Sequence, residues 1–307
     1  RLKAGDLVAF PTETVYGLGA NALNEKAVAH VFAVKKRPSF DPLIVHVADR
    51  EAVSSYVKEI DERATRLMDR FWPGPLTLVL AKQPIVPDIV TAGLETVAIR
   101  MPAHSVALAL LRAVDFPIAA PSANPFGYVS PTTAAHVQGR LGDAIEVIID
   151  GGPCTIGLES TVCALTEDQV VLLRPGAVTV AQMEAVIGPV QIGEPTRADT
   201  RSPGTLRSHY APRVSVALLA LGEPLPQPDY GERVGLLRLA PRTETEGYAK
   251  VESLSKDGDL LEAAANLFAA LRWLDGYSLD RVIIESVPEI GIGLAIMDRL
   301  RRAASRR

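Results

Sequence analysis

The stretch Leu7-Val8-Ala9-Phe10-Pro11-Thr12-Glu13-Thr14-Val15-Tyr16-Gly17-Leu18-Gly19 decides how the rest of the chain is read. A short apolar run stops at a proline and gives way to a polar loop closed by glycines. Loops at the ends of buried strands are where α/β proteins place ligand contacts. Thr12, Glu13 and Thr14 are therefore candidates, although turn chemistry alone explains the same residue types. Residues 17–22 also fit the G-x-G-x-x-A of dinucleotide folds. The next helix starts too late for that motif, and Lys35-Lys36-Arg37 stands where an acidic ribose contact belongs. A tight turn is expected there instead.

Working outward, Asn24 is an N-cap signal, and the spacing of Ala27, Val31 and Val34 predicts a helix over 25–35, ended by Arg37-Pro38. Strands are expected at 43–47, 76–81, 97–100, 118–120, 145–149, 161–165 and 170–173. Helices are expected at 61–71, 105–114, 132–141 and 179–187. Residues 188–212 are rich in Pro, Gly, Thr and Ser without periodicity and read as a linker. Beyond them, strands at 214–221, 234–239 and 282–284 alternate with helices at 260–274 and 294–302, the pattern of a small parallel α/β domain. The expected division is a first module at 1–187, a linker at 188–212 and a smaller Rossmann-like module at 213–307.

Composition limits the function classes. The chain has 307 residues, 48% of them apolar, with 32 Lys+Arg against 36 Asp+Glu. That suits two folded domains and excludes a disordered chain, a coiled coil or a disulfide-framed module. A formal charge of −4 argues against a protein that mainly coats nucleic acid, while leaving room for a basic cleft. Cys154 and Cys163 cannot frame a zinc site alone, and neither H-E-x-x-H nor paired C-x-x-C occurs, so no metal-ligating set is read. A reducing, cytoplasmic setting is expected. No run approaches the ~18 apolar residues of a membrane span, and no signal peptide is read. The chain opens on Arg1 rather than methionine, so its natural start is expected upstream or trimmed. The Arg-rich end (Arg299, Arg301, Arg302, Arg306, Arg307) reads as a solvated helix end.

Four segments carry candidate chemistry. Lys35-Lys36-Arg37-Pro38 pairs a point charge with a planar fork, which suits phosphate. It is equally a basic helix terminus. If extended, it sends Lys35 and Arg37 to one side. Pro121-Ser122-Ala123-Asn124-Pro125 is a polar loop stiffened by prolines, with Ser122 and Asn124 at i, i+2, or else an ordinary turn. Glu159-Ser160-Thr161 and Leu173-Arg174-Pro175-Gly176 offer hydroxyls and a lone arginine at strand ends. Ser160 lacks the G-x-S-x-G of a nucleophile elbow. His46 and Arg100 each close an apolar run.

Taken in order, these segments resemble the YrdC-like family. The similar motifs are residues 10–19, Lys35-Lys36-Arg37-Pro38, Pro42-Leu43-Ile44-Val45-His46, Trp72-Pro73-Gly74-Pro75-Leu76-Thr77, Val97-Ala98-Ile99-Arg100-Met101-Pro102, and the 121–124 and 157–161 segments. Ser202-Pro203-Gly204, His209-Tyr210-Ala211-Pro212 and residues 291–297 resemble the family's longer, two-domain form. The resemblance implies a twisted open mixed sheet with helices around a positive cleft, followed by the smaller α/β domain. It implies a nucleotidyltransferase that condenses L-threonine, bicarbonate and ATP, with Mg²⁺, into threonylcarbamoyl-AMP and pyrophosphate. A downstream tRNA threonylcarbamoyl transferase complex would use the product, with direct tRNA contact not required. Carried over by motif, Lys35, Arg37, Ser122 and Asn124 are expected at the triphosphate and reacting centre. Ser130, Arg174 and His209 are further expected ATP contacts. Thr14, His46, Arg100 and Ser160 are expected around threonine, with Thr12 beside them. Residues 202–212 are expected to act as a lid through Arg207 or His209. The alternatives are a noncatalytic nucleotide- or RNA-binding module, a carbamoyltransferase of hydrogenase maturation, whose accessory segments the chain lacks, and a dehydrogenase.

Overall fold

Apolar runs alternating with capped helices build two sheets in this computed structural model, which describes residues 1–193, 210–243 and 245–305. In the first module, β1 (Val8–Phe10) and β2 (Gly17–Asn21) lead into α1 (Glu25–Lys35) and β3 (Ile44–His46). There follow α2 (Glu62–Phe71), β4 (Leu76–Ala81), the short α3 (Asp88–Thr91), β5 (Thr96–Arg100), α4 (Ser105–Ala113) and β6 (Ile118–Ala119). The module finishes with α5 (Ala134–Leu141), β7 (Val147–Ile148), β8 (Thr161–Leu165), β9 (Val170–Arg174), α6 (Val180–Ile187) and β10 (Val190–Ile192). Its ten strands form one mixed sheet in the order β10-β9-β8-β4-β5-β3-β6-β2-β1-β7. The second module comprises β11 (Ser215–Leu219), β12 (Val234–Arg238), β13 (Lys250–Ser253), α7 (Leu260–Asp275), β14 (Arg281–Glu285) and α8 (Gly293–Ala304). Its four strands are all parallel, in the order β11-β14-β12-β13. Both architectures agree with the expected fold class.

Local chemistry explains the elements that matter for the site. Asn24 caps α1 by accepting from the amides of Lys26 and Ala27. The buried stripe of that helix runs Ala27, Val31, Lys35 at four-residue steps, so its last residue points inward although it is a lysine. The helix ends at Lys36, whose φ of 53° is left-handed, and not through an extended Arg37. The expected extended geometry for Lys35 to Arg37 is therefore replaced by a helix terminus and its cap.

Two further expectations change. Residues 17–21 are a strand paired with β1 and β6, not a turn. Glycine is there for space: a Cβ on Gly19 would lie 2.8 Å from the Phe10 ring and 2.9 Å from Ile118 Cγ2. The residues expected to begin a linker at 188 instead include β10, which pairs with β9 in parallel and extends the first sheet to Ile192. Residues 194–209, including His209 and Arg207, lie outside the described residues.

The modules share a core. Val15, Tyr128, Val129 and Leu158 of the first pack with Leu267, Phe268 and Leu271 of α7. Gly157 permits this approach, since its φ is +76° and a Cβ would lie 2.5 Å from Ala265 Cα. The Arg-rich end is only partly a solvated helix end. Arg299 is wholly buried, whereas Arg301 is exposed and pairs with Glu289.

Candidate active site

Sheet topology gathers one wall of the site. Strands β3 and β5 are parallel and in register, which puts His46 beside Arg100 at their ends. Strand β8 runs opposite to β5, and β9 opposite to β8, so Ser160 before β8 and Arg174 at the end of β9 reach the same edge. There Arg100 donates through Nε to the Gly74 carbonyl (3.1 Å) and through Nη1 to Thr14 Oγ1 (2.9 Å). Its Nη2 lies 2.6 Å from Glu13 Oε1. Thr14 and Thr12 hydroxyls meet at 2.8 Å, and Thr12 donates to the Val15 carbonyl at 2.6 Å, which folds the 11–16 loop onto Arg100. Ser160 Oγ shares a hydrogen bond with Thr77 (2.7 Å) and accepts from Arg174 Nη2 (3.1 Å). Burial and the Arg100 charge push His46 down to about 3, so its ring is neutral at physiological pH.

The other wall comes from the end of α1 and the 121–130 loop. Lys35 is 1% exposed and its Nζ donates to the main-chain carbonyls of Ser122, at 2.5 Å, and Asn124. Burial, with Arg37 nearby, pushes its ammonium well below the usual lysine range. Arg37 pairs with Asp41 at 2.8 Å and donates to the carbonyls of Asp41 and Pro42 at 3.0 and 2.8 Å. Asn124 Nδ2 donates to the carbonyls of Pro125 (3.0 Å) and Tyr128 (2.9 Å), bracing the loop, while its buried Oδ1 has no hydrogen-bond partner among the described residues.

The two walls enclose one cleft. Thr12, Thr14, Arg37, His46, Arg100, Ser122, Ser160 and Arg174 line it, together with Glu159 and Tyr210. Lys35, Asn124 and Ser130 stand directly behind that lining. The Lys35 bonds to the 122–124 backbone put the lysine and the serine–asparagine pair in one place. Ser130 donates to Glu159 Oε1 at 2.5 Å rather than opening to the cleft.

Three participants were not legible as site residues. Asp41 is the ion partner of Arg37. Tyr210, at the described end of the linker, stacks on Phe268 with ring centroids 5.4 Å apart and reaches the lining. Arg299 of α8 donates to Glu159 Oε2 at 3.0 Å. The signal for Arg299 was positional: it falls on the apolar stripe Ala295, Ile296, Leu300, Ala303, where an arginine must meet a partner.

Comparisons with known proteins match the whole chain. A family model of the Sua5, YciO and YrdC group, described as "Telomere recombination", matches residues 1–176. A second, "Threonylcarbamoyl-AMP synthase, C-terminal domain", matches residues 178–305. The chain is 46% identical to a threonylcarbamoyl-AMP synthase of Pyrococcus abyssi, covering 100% of this chain and 92% of that protein. It is 47% identical to one of Bacillus subtilis, covering 100% and 91%. The crystal structure of P. abyssi Sua5 complexed with L-threonine superposes with a TM-score of 0.90 at 44% identity, over 99% of this chain and 92% of that one.

Proposed function

The chain belongs to the Sua5/YrdC family in its two-module, threonylcarbamoyl-AMP synthase form, and on that premise we propose how its cleft does the work. The activity is a nucleotidyl transfer that joins L-threonine, bicarbonate and ATP as threonylcarbamoyl-AMP and releases pyrophosphate. The threonine amine and bicarbonate give a carbamate and water. A carbamate oxygen then forms a bond to the α-phosphorus as the bond to pyrophosphate breaks. The attacking group is already an anion, so that step needs no base on the protein. Catalysis consists of holding two anions in line and neutralising the charge that builds between them.

The observation that carries the reading is that Arg37, Arg100 and Arg174 line one buried cleft. Arg37 and Ser122, backed by Lys35 and Asn124, bind the triphosphate. Arg174 and Ser130 serve the nucleotide side. Arg100 takes the threonine carboxylate in place of Glu13, with Thr14, Ser160 and neutral His46 shaping the amino-acid pocket, and Thr12 holding Thr14. A threonine complex of the P. abyssi relative supports an amino-acid subsite of this kind. Mg²⁺ enters with ATP as part of the substrate. The carboxylates near the cleft favour that route, because Glu13, Asp41 and Glu159 already pair with Arg100, Arg37 and Arg299. The product passes to a tRNA threonylcarbamoyl transferase complex in the cytoplasm. No helix among the described residues is long and apolar enough to cross a membrane.

Pyrophosphate release measured with Mg²⁺-ATP, bicarbonate and single amino acids tests the reading. Release that requires both threonine and bicarbonate supports it. Equal release without either contradicts it.

A further inference from the structure

Glu159 poses an electrostatic problem. It is a buried carboxylate on the lining of a cleft that receives a triphosphate and a carbamate, and it is adjacent to Ser160 in sequence. Left uncompensated, it would repel both ligands at short range in a poorly solvated site. Arg174 and Lys35 of the first module lie within its field, but its contacting ion partner comes from the other module. Arg299 of α8 is 0% exposed and crosses the interface to donate through Nε to Glu159 Oε2 at 3.0 Å. Its Nη1 donates to the carbonyl of Pro175, the residue after Arg174, at 2.9 Å. Its neighbour Asp298, at 2.7 Å, is shared with Arg302. The other oxygen of Glu159 accepts from Ser130 Oγ. From α7, Arg272 donates to the main-chain carbonyls of Ser130, at 3.2 Å, and Val129. The second module thus holds the 129–130 backbone with one arginine and the carboxylate bonded to Ser130 with another.

We infer that Arg299 is a positioning residue for the reaction: it neutralises Glu159 at the cleft and, through Glu159, fixes Ser130 against the nucleotide side. The second module then has a direct part in ATP use, beyond any role in stability. This rests on the functional reading above.

The test is pyrophosphate release with ATP and threonine titrated separately, for wild type, Arg299→Lys, Arg299→Met, Glu159→Gln and the Glu159→Gln/Arg299→Met pair. Melting temperatures are recorded for each. Arg299→Met should raise the KM for ATP by about tenfold or more, because a buried carboxylate is left unpaired. Arg299→Lys should fall in between. Adding Glu159→Gln to Arg299→Met should bring the KM for ATP back to within about threefold of Glu159→Gln alone, since no unpaired charge remains. Rescue by removing the opposite charge is what a packing role would not give. An unchanged KM for ATP in Arg299→Met, or no recovery in the pair, overturns the inference. If Arg299→Met does not fold, the pair against Glu159→Gln decides by the same threefold or tenfold margins. A wild-type chain without threonine-dependent release would instead overturn the functional reading.

Discussion

The two walls of the cleft are built on different principles. On the wall proposed for the nucleotide, a helix end and a loop set the positions: Lys35 rests on the carbonyls of Ser122 and Asn124, and Arg37 on those of Asp41 and Pro42 together with the Asp41 carboxylate. On the wall proposed for the amino acid, strand register sets the positions: Arg100 is held by Thr14, Glu13 and the Gly74 carbonyl, and Ser160 by Thr77, with Arg174 reaching across from the nucleotide side. Carbonyls are weaker partners for a cation than phosphate oxygens, so Lys35 can exchange them for a bound triphosphate while Arg37 keeps Asp41. Changes on the first wall should act on turnover, and changes on the second on threonine affinity.

The sharpest break in that contrast is Arg37→Ala. It removes the guanidinium proposed to meet transition-state charge and leaves Asp41 without its ion partner, so kcat should fall by about 10²–10³-fold or more. Steady-state pyrophosphate release checks it, with circular dichroism to show the fold persists. Next is Arg100→Gln, which deletes the proposed partner of the threonine carboxylate on the other wall. The KM for threonine should rise by about 10- to 100-fold, the weight of a charge-assisted hydrogen bond of roughly 1.5–3 kcal/mol. An equal loss in kcat with unchanged KM would erase the distinction between the walls.

A third change addresses the shared core rather than either wall. Gly157→Ala places a methyl against the α7 backbone at a positive φ. It should destabilise the chain by about 1–3 kcal/mol, read as a lower denaturant midpoint.

Protonation gives the smaller effects. Lys35 is pushed below its usual range by burial and Arg37, and a triphosphate bound as proposed would oppose that push. ATP binding should therefore take up a fraction of a proton near the free enzyme's Lys35 pKa, and affinity should decline as pH rises through it. Calorimetry in buffers of different ionisation enthalpy detects the uptake. His46 works on stability. Its folded pKa lies near 3 against 6.5 for a free ring, so the unfolded chain binds more protons between those values. Stability from this group is full above pH 6.5 and is lost as pH falls toward 3, at up to about 1.4 kcal/mol per unit. His46→Gln should flatten that part of the profile in urea titrations.

Much of this was legible in the residues. Helix α1, strands β4 and β8 and most of α7 follow directly from period and caps, and the ordered motifs contain most of the residues that line the cleft. What was not legible follows a pattern. Gly17 to Asn21 looked like a turn because glycine propensity is local, whereas its cause, the Phe10 ring against Gly19, belongs to the neighbouring strand. The pair Lys35 and Arg37 met for a reason other than alternation along an extended chain: a helical stripe aims one inward, and a left-handed cap redirects the other. Asn124 carries its motif position but spends its amide on the loop. Arg299 read as solvated among its arginine neighbours because only the docked module supplies Glu159.

The most direct test titrates ATP and threonine against Arg37→Ala and Arg100→Gln side by side in the pyrophosphate assay. The expected result is a split: Arg37→Ala loses kcat with threonine KM within about threefold of wild type, and Arg100→Gln raises threonine KM with the larger part of kcat retained. Both variants losing the same parameter to the same extent would contradict a cleft with two separate walls.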